Sequence, residues 1–331
     1  MFNITLNNHQ EIVISNERIT FFSYGVGPFI PIKYNGDHVL KLNKKSVSTC
    51  NVEFLAAYLK NNAAAARALF NVIAYSNDRE TVKNVTRSQF YNSFNDNIPA
   101  FIDFFKSCSP ETRQVIIYDH ICFNHEAKMD GIISVSTYVG NNRYCLARCN
   151  NCDNSICIYC YANSLTKQRY FLKMKLIRIM AILTNIELQA CDIPIIDASI
   201  FPYFRFEAFG DLSNETQIKN YNTFAIVNFG VNFTLWTKNP GIIRAAIKHG
   251  MQLADNLIIG LSSLYLNTPE IEKAKRYPFT RFLFTVYDDE YITENNIVIN
   301  CGAKHCISCG ICYKYLHEYN NGLMIINERK K

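Results

Sequence analysis

Nine cysteines in two short runs are the residues of this chain best suited to chemistry. The first run is Cys145, Cys149, Cys152, Cys157 and Cys160, inside the stretch YCLARCNNCDNSICIYCYA. The second is Cys301, Cys306, Cys309 and Cys312. A lone buried cysteine packs as a small hydrophobe, but packing gives no reason for repeated C-x-x-C spacing. Thiolates this dense ligate metal or pair as disulfides. The N-terminal MFNITLNNHQEIVIS has no basic segment leading into an apolar one, so no secretory leader is expected. Nor does any stretch reach the roughly 18 apolar residues of a membrane helix, so no membrane partner is expected. The expected localisation is cytoplasmic, where clustered thiols hold metal rather than disulfides.

Three ligand sets compete in the first run. Cys149-x2-Cys152-x4-Cys157-x2-Cys160 offers four thiolates to a tetrahedral zinc, with a middle spacing short for two knuckles. Cys145-x3-Cys149-x2-Cys152 has the spacing of radical S-adenosylmethionine enzymes. In those enzymes three thiolates leave one iron of a [4Fe–4S] cluster open to the cofactor's methionyl amine and carboxylate. Cys145, Cys157 and Cys160 make a third set, with the aromatic Tyr159 before the last cysteine, a position where such sites favour an aromatic. In the second set that position holds Asn151. In the C-terminal run, two successive C-x2-C steps suit a ferredoxin-type [4Fe–4S] cluster. Zinc is the alternative at either run. His305 lies inside the second run as a hydrogen-bond donor or an exposed side chain. One site built from both runs is a further alternative.

The elements that must position these thiols alternate. Residues 131–138 read as a strand, followed at once by the first run, and 163–190 as one long helix with a solvated basic face (Lys167, Arg169, Lys173, Lys175, Arg178). Strands are expected at 201–209, 232–238, 256–266, 281–287 and 297–300, with helices at 213–228 and 242–249. Alternation of this kind implies a parallel sheet or barrel, and the first run then sits in a βα loop, at the end where sites collect. One βα unit later comes Gly210-Asp211, in the place where radical S-adenosylmethionine barrels use a Gly-Gly-Glu-like segment on the methionyl amine. Lys238 and Thr237 end the next strand, where cofactor carboxylate or ribose contacts lie. Glu207, Ser262 and Ser263 are weaker candidates on the same positional argument.

Before residue 125 the sequence carries no obvious chemistry. Short strands at 12–14 and 19–22 precede an Ala-rich helix at 51–75, a helix within 88–108 that Pro99 breaks or begins, and a further segment at 111–124. His120 and His125 flank Cys122, a pattern that is ordinarily structural. With 49% hydrophobic and 19% charged residues the chain buries a sizeable core and is not disordered by composition. Its net charge of +6 permits a nucleic-acid partner without requiring one.

Three pieces carry a resemblance: GIISVSTYVGNNRYC with SICIYCYA, FRFEAFGDLSNETQIKNY with FTLWTK, and INCGAKHCISCGICY. Together they resemble the phage "gene product 88"-like family of radical-S-adenosylmethionine-like iron–sulfur proteins, over about residues 128–315. The resemblance implies an α/β fold, a partial (β/α)6 TIM-like barrel of the radical S-adenosylmethionine type. That barrel would span 128–300, with an N-terminal α+β accessory region over 1–127 and a four-cysteine segment over 301–331. It implies Cys145, Cys157 and Cys160 as ligands of a [4Fe–4S] cluster, with Cys149 and Cys152 as additions. Cys301, Cys306, Cys309 and Cys312 then hold an auxiliary cluster, and Tyr159, Gly210, Asp211 and Lys238 meet the cofactor. The implied activity is a 5′-deoxyadenosyl radical generated on an unknown substrate, fed by a flavodoxin or ferredoxin in the bacterial host cytoplasm. The readings set against it are a zinc-stabilised nucleic-acid-binding module and a non-catalytic iron–sulfur protein.

Overall fold

The computed structural model describes residues 91, 94–123, 127–151, 155–303, 305–314 and 322–330, with the backbone of five short strands near the N-terminus. The helix expected at 51–75 lies outside the described residues, as do His125 and Cys152. The chain divides into two compact units, Met1–Asp119 and His120–Lys331.

In the first unit β1 (Phe2–Asn7), β2 (Gln10–Ile14) and β3 (Arg18–Ser23) pair antiparallel in chain order. Two-residue strands β4 (Gly27–Pro28) and β5 (Ile32–Lys33) both pair with β3. Helix α1 (Ile98–Ser107) begins where Asn97 accepts the Ala100 N–H at 3.1 Å. Pro99 sits in its first turn, where a missing N–H costs nothing, so the proline begins this helix. Phe101, Phe104 and Phe105 are buried along one face, and Phe94 packs on the first two. Helix α2 (Pro110–His120) follows.

The second unit is built on a seven-stranded sheet. Its strands are β6 (Cys122–Phe123), β7 (Ile133–Val135), β8 (Tyr203–Phe206), β9 (Asn232–Thr237), β10 (Leu257–Ser262), β11 (Thr280–Tyr287) and β12 (Met324–Arg329). They lie side by side in chain order, with β6 antiparallel to β7 and every later pair parallel. The fold is therefore α/β with a mostly parallel sheet. Strict chain order sends every crossover the same way, and right-handed crossovers then put their helices on one face. The opposite face is left to other cover, and the second cysteine run supplies part of it.

Side-chain alternation makes the two faces distinct. On β8, Phe204 and Phe206 are fully buried against Tyr221 and Phe224 of helix α3 (Glu215–Val227). Tyr203 and Arg205 occupy the alternate positions. On the second face Ile258, Phe282, Phe284 and Ile326 form a core, with Trp236, Cys301, Ile311 and Cys312 packed on it. Gly260 lets the Phe282 ring lie across β10, for a Cβ there would stand 2.0 Å from the ring.

Three expectations need correction. The long helix is broken at Arg169 into α4 (Tyr161–Gln168) and α5 (Tyr170–Asn185). Its basic face is not uniformly solvated: Arg178 is buried beside His120, whose Nε2 lies 3.4 Å from the arginine Nε, and Lys175 donates to the Ile121 carbonyl. Residues 297–300 are not a strand. Asn300 and Cys301 donate their N–H groups to one carbonyl, that of Asn327, so this segment runs beside β12 without forming a ladder. The sixth parallel strand is β12 itself. A seven-residue helix, Asp289–Asn295, follows β11, in a connection where the sequence shows a helix that is missing or very short.

Candidate metal and cofactor cavity

Both cysteine runs open onto one cavity of about 1310 Å³ in the second unit. Its wall includes Cys145, Cys149, Cys157, Cys160, Cys301, Cys306, Cys309 and Cys312. It also includes the expected cofactor residues Gly210, Asp211 and Lys238, together with Glu207 and Ser262. Tyr159 lies in the 3-10 turn Ile156–Tyr159 that precedes Cys160.

Three polar side chains tie the βα loops that carry the first run. The first is Glu207, buried just beyond β8 with a left-handed φ of 54°. It accepts from the Thr137 N–H at 3.2 Å, the Thr137 hydroxyl at 3.0 Å, Gln217 Nε2 at 2.6 Å and the Tyr221 hydroxyl. The loops after β7 and β8 are thereby joined. Burial pushes this carboxyl up to about 8 in spite of the donors around it. Gly210, at φ 90°, closes on the pair: a Cβ there would stand 2.5 Å from Glu207 Oε2 and 2.8 Å from the Thr137 carbonyl oxygen.

Asp211 joins the second loop to the third. Its carboxylate accepts from the Thr237 hydroxyl, the Lys238 N–H at 2.9 Å and its neighbour Leu212 N–H at 2.8 Å. Thr237 thus faces Asp211. Asn142, fully buried, donates to the Asp211 carbonyl at 2.7 Å and accepts the N–H groups of Tyr144 and Cys145. That side chain starts a helix (Arg143–Asn151) the sequence did not announce. Cys145 and Cys149 stand one turn apart on it, hence on one face.

The rest of the run is held from the other side of the sheet. Ile156 N–H donates to the Leu264 carbonyl at 3.0 Å, and Ser155 bridges to Tyr265 beyond β10. Ser155 also caps the turn by accepting the Cys157 N–H. Cys149 Sγ donates to the Cys157 carbonyl at 3.1 Å. Burial raises the Cys149 thiol to about 11, reinforced by Cys160 and Cys157 beside it. Cys145 is raised by burial and then by Asp211 and Glu207. So Cys149, which the resemblance treats as an addition, joins Cys145, Cys157 and Cys160 in the cavity wall.

The second run winds from Cys301 through a one-turn helix, Cys306–Cys309, that ends at Gly310 with φ 66°. Tyr313 then stacks on Tyr203 at 5.0 Å, pinning the run to β8. Burial pushes the Cys312 thiol up to about 12, and Cys301, Cys306 and Cys309 add to it, so the four thiols feel one another. Lys128 donates to Cys301 Sγ at 3.1 Å and to Glu328 Oε1 at 2.6 Å. Burial alone would lower the Lys128 pKa, but Glu328 and Cys301 outweigh it and hold the ammonium above its ordinary value.

Soft thiolates of this number fit iron–sulfur clusters or zinc by donor chemistry. Among the described residues no three Cys, His, Asp or Glu side chains stand as a ready single-ion site, and all the described cysteines are free thiols. Ser263 is engaged with Thr285. Lys128, Asn142, Arg205 and Trp236 escaped the sequence reading. Only Arg205 had a signal there, its alternation with Phe204 and Phe206. No helix among the described residues is long and apolar enough to cross a membrane. No protein-family model, curated protein or solved structure matches this chain.

Proposed function

We propose that this chain is an iron–sulfur protein that binds S-adenosylmethionine in the cavity and uses it for radical chemistry on a substrate still to be identified. The observation that carries the reading is that eight thiols from two distant runs line one cavity of about 1310 Å³. A structural zinc is enclosed by its four ligands. A thiol-lined space of this size instead has room for a cofactor and a substrate. In this reading the six parallel strands are those of a partial (β/α)6 barrel, and the chain is related to the gene product 88-like proteins.

Cys145, Cys157 and Cys160 would hold a [4Fe–4S] cluster with one open iron, and Cys301, Cys306, Cys309 and Cys312 an auxiliary one. A first cluster held there and reduced by a flavodoxin or ferredoxin would supply the electron for reductive cleavage of the cofactor's sulfonium C–S bond. Lys238 brings an ammonium with no acidic ion-pair partner among the described residues, suited to the cofactor's carboxylate. Asp211 holds the Lys238 backbone in place, and Gly210 lets its loop close on Glu207 and Thr137. Phe284, Val286 and Ile311 give the cavity an apolar wall.

The test is anaerobic purification followed by iron, sulfide and zinc analysis, then incubation with dithionite and S-adenosylmethionine. Iron and sulfide in cluster ratio and formation of 5′-deoxyadenosine are expected. Stoichiometric zinc without iron overturns the reading. Cys157→Ala should abolish product while the fold persists, whereas collapse of the fold would mark a structural cluster.

A further inference from the structure

We propose that Arg205 and Trp236 form a subsite for an oxyanion, a carboxylate or phosphate carried on an apolar body. Both side chains line the cavity. The Arg205 guanidinium lies over the Trp236 ring, 4.1 Å from its centroid, and this stacking fixes the plane of the cation. Its polar contact among the described residues is a weak one, Nη1 to Met129 Sδ at 3.6 Å. The Arg205 Nε and Trp236 Nε1 atoms are both buried, with no hydrogen-bond partner among the described residues.

Two orphan donors on stacked neighbours are costly, about 1–3 kcal/mol for each group. The guanidinium, which is only partly buried, has no carboxylate ion-pair partner among the described residues. The nearby carboxylates do not relieve it. Glu207 is taken by Thr137, Gln217 and Tyr221, Asp211 by Thr237 and backbone, and Glu328 by Lys128. An oxyanion in the cavity would satisfy both donors and the charge, for a planar guanidinium matches carboxylate and phosphate alike. Trp236, Val286 and Ile311 pack together on the core of Phe282 and Phe284 beside it, an apolar wall for the body of such a ligand. The competing occupant of the guanidinium is the second cysteine run, since Arg205 favours the thiolate forms of Cys306 and Cys312. The subsite stands on these contacts whether the thiols hold iron or zinc.

Calorimetric titration of the full purified chain with benzoate, and separately with inorganic phosphate, tests it, with iron and zinc measured on every sample. Saturable binding of at least one is expected, and which one binds identifies the group. Arg205→Gln should weaken that binding about tenfold or more at unchanged metal content, from loss of a charge-assisted pair. Arg205→Lys should retain part of it. Three results overturn the proposal: no binding of either anion, wild-type affinity in Arg205→Gln, or loss of metal alongside loss of binding. If Arg205→Gln does not fold, Trp236→Phe decides, because it keeps an aromatic face but removes the second donor, and unchanged affinity refutes the subsite. A zinc-only protein that still binds benzoate through Arg205 would sink the iron–sulfur reading and leave this one standing.

Discussion

Glu207 makes the stability of the cysteine-bearing unit depend on pH. Its carboxyl ordinarily titrates at 4.5 and is pushed by burial up to about 8. Between those values the folded state keeps a proton that the unfolded chain has released. The contribution is therefore complete below pH 4.5 and is lost as pH rises toward 8, at about 1.4 kcal/mol per pH unit. Over the whole interval the loss approaches about 5 kcal/mol, an upper bound for one buried group. Glu207→Gln removes the titration. The amide oxygen still accepts from Gln217 and Tyr221, but its NH2 now faces the Thr137 N–H. The variant should be less stable by about 1–3 kcal/mol at pH 5 and overtake the wild type above about pH 6–7. Urea unfolding at fixed ionic strength from pH 5 to 8 measures this, followed by the fluorescence of Trp236, the single tryptophan in the chain. Groups remote from Glu207 contribute alike to both proteins, so the difference reports Glu207 together with its coupling to Asp211, Tyr221 and Cys145. Parallel pH profiles for the two proteins would refute the reasoning.

Gly210→Ala should cost about 3 kcal/mol, from positive φ and a Cβ driven into Glu207 and Thr137, read as a lower urea midpoint. Asn142→Ala removes the cap on Tyr144 and Cys145 and the tie to Asp211; a loss of about 2 kcal/mol and a lower metal content on anaerobic purification are expected. Lys128→Met takes away the ammonium that favours the Cys301 thiolate, so alkylation of Cys301 in metal-free protein should slow severalfold at pH 8, as followed by mass spectrometry. An unchanged rate would mean that the lysine acts only on Glu328.

Much of the sheet was legible because its strands are short apolar runs between strong punctuation. Asn239-Pro240 opens a helix with the proline in its first turn, and Asn214 accepts the Gln217 N–H one residue before the observed helix Glu215–Val227. The helix over Arg143–Asn151 was not legible. It has no apolar stripe, and its start depends on Asn142, a residue whose partners come from a loop 69 residues away. Residues 297–300 looked like a strand because Ile-Val-Ile is β-branched, yet the sheet edge took Met324–Arg329 instead. In the site, the thiols were visible from spacing alone. Their convergence on one cavity stands in the sequence only as one alternative among several, because it depends on Tyr313 meeting Tyr203 and on Lys128 meeting Glu328, contacts between residues more than a hundred positions apart. Cys149 belongs to two of the competing ligand sets and is an addition only in the resemblance; the helix Arg143–Asn151 turns it to the same side as Cys145.

The position of β12 has a consequence for biosynthesis. This strand pairs with β11, and the second cysteine run lies in the connection between them. A ribosome therefore delivers β7, the first run, the four parallel strands β8 to β11 and then the second run before the strand that covers β11. Until Arg329 emerges, the hydrogen-bonding edge of Thr280–Tyr287, with its Phe282 and Phe284, stands open to other nascent chains. The same delay leaves the cavity reachable from the side that β12 later closes. That interval is when a chaperone is most needed.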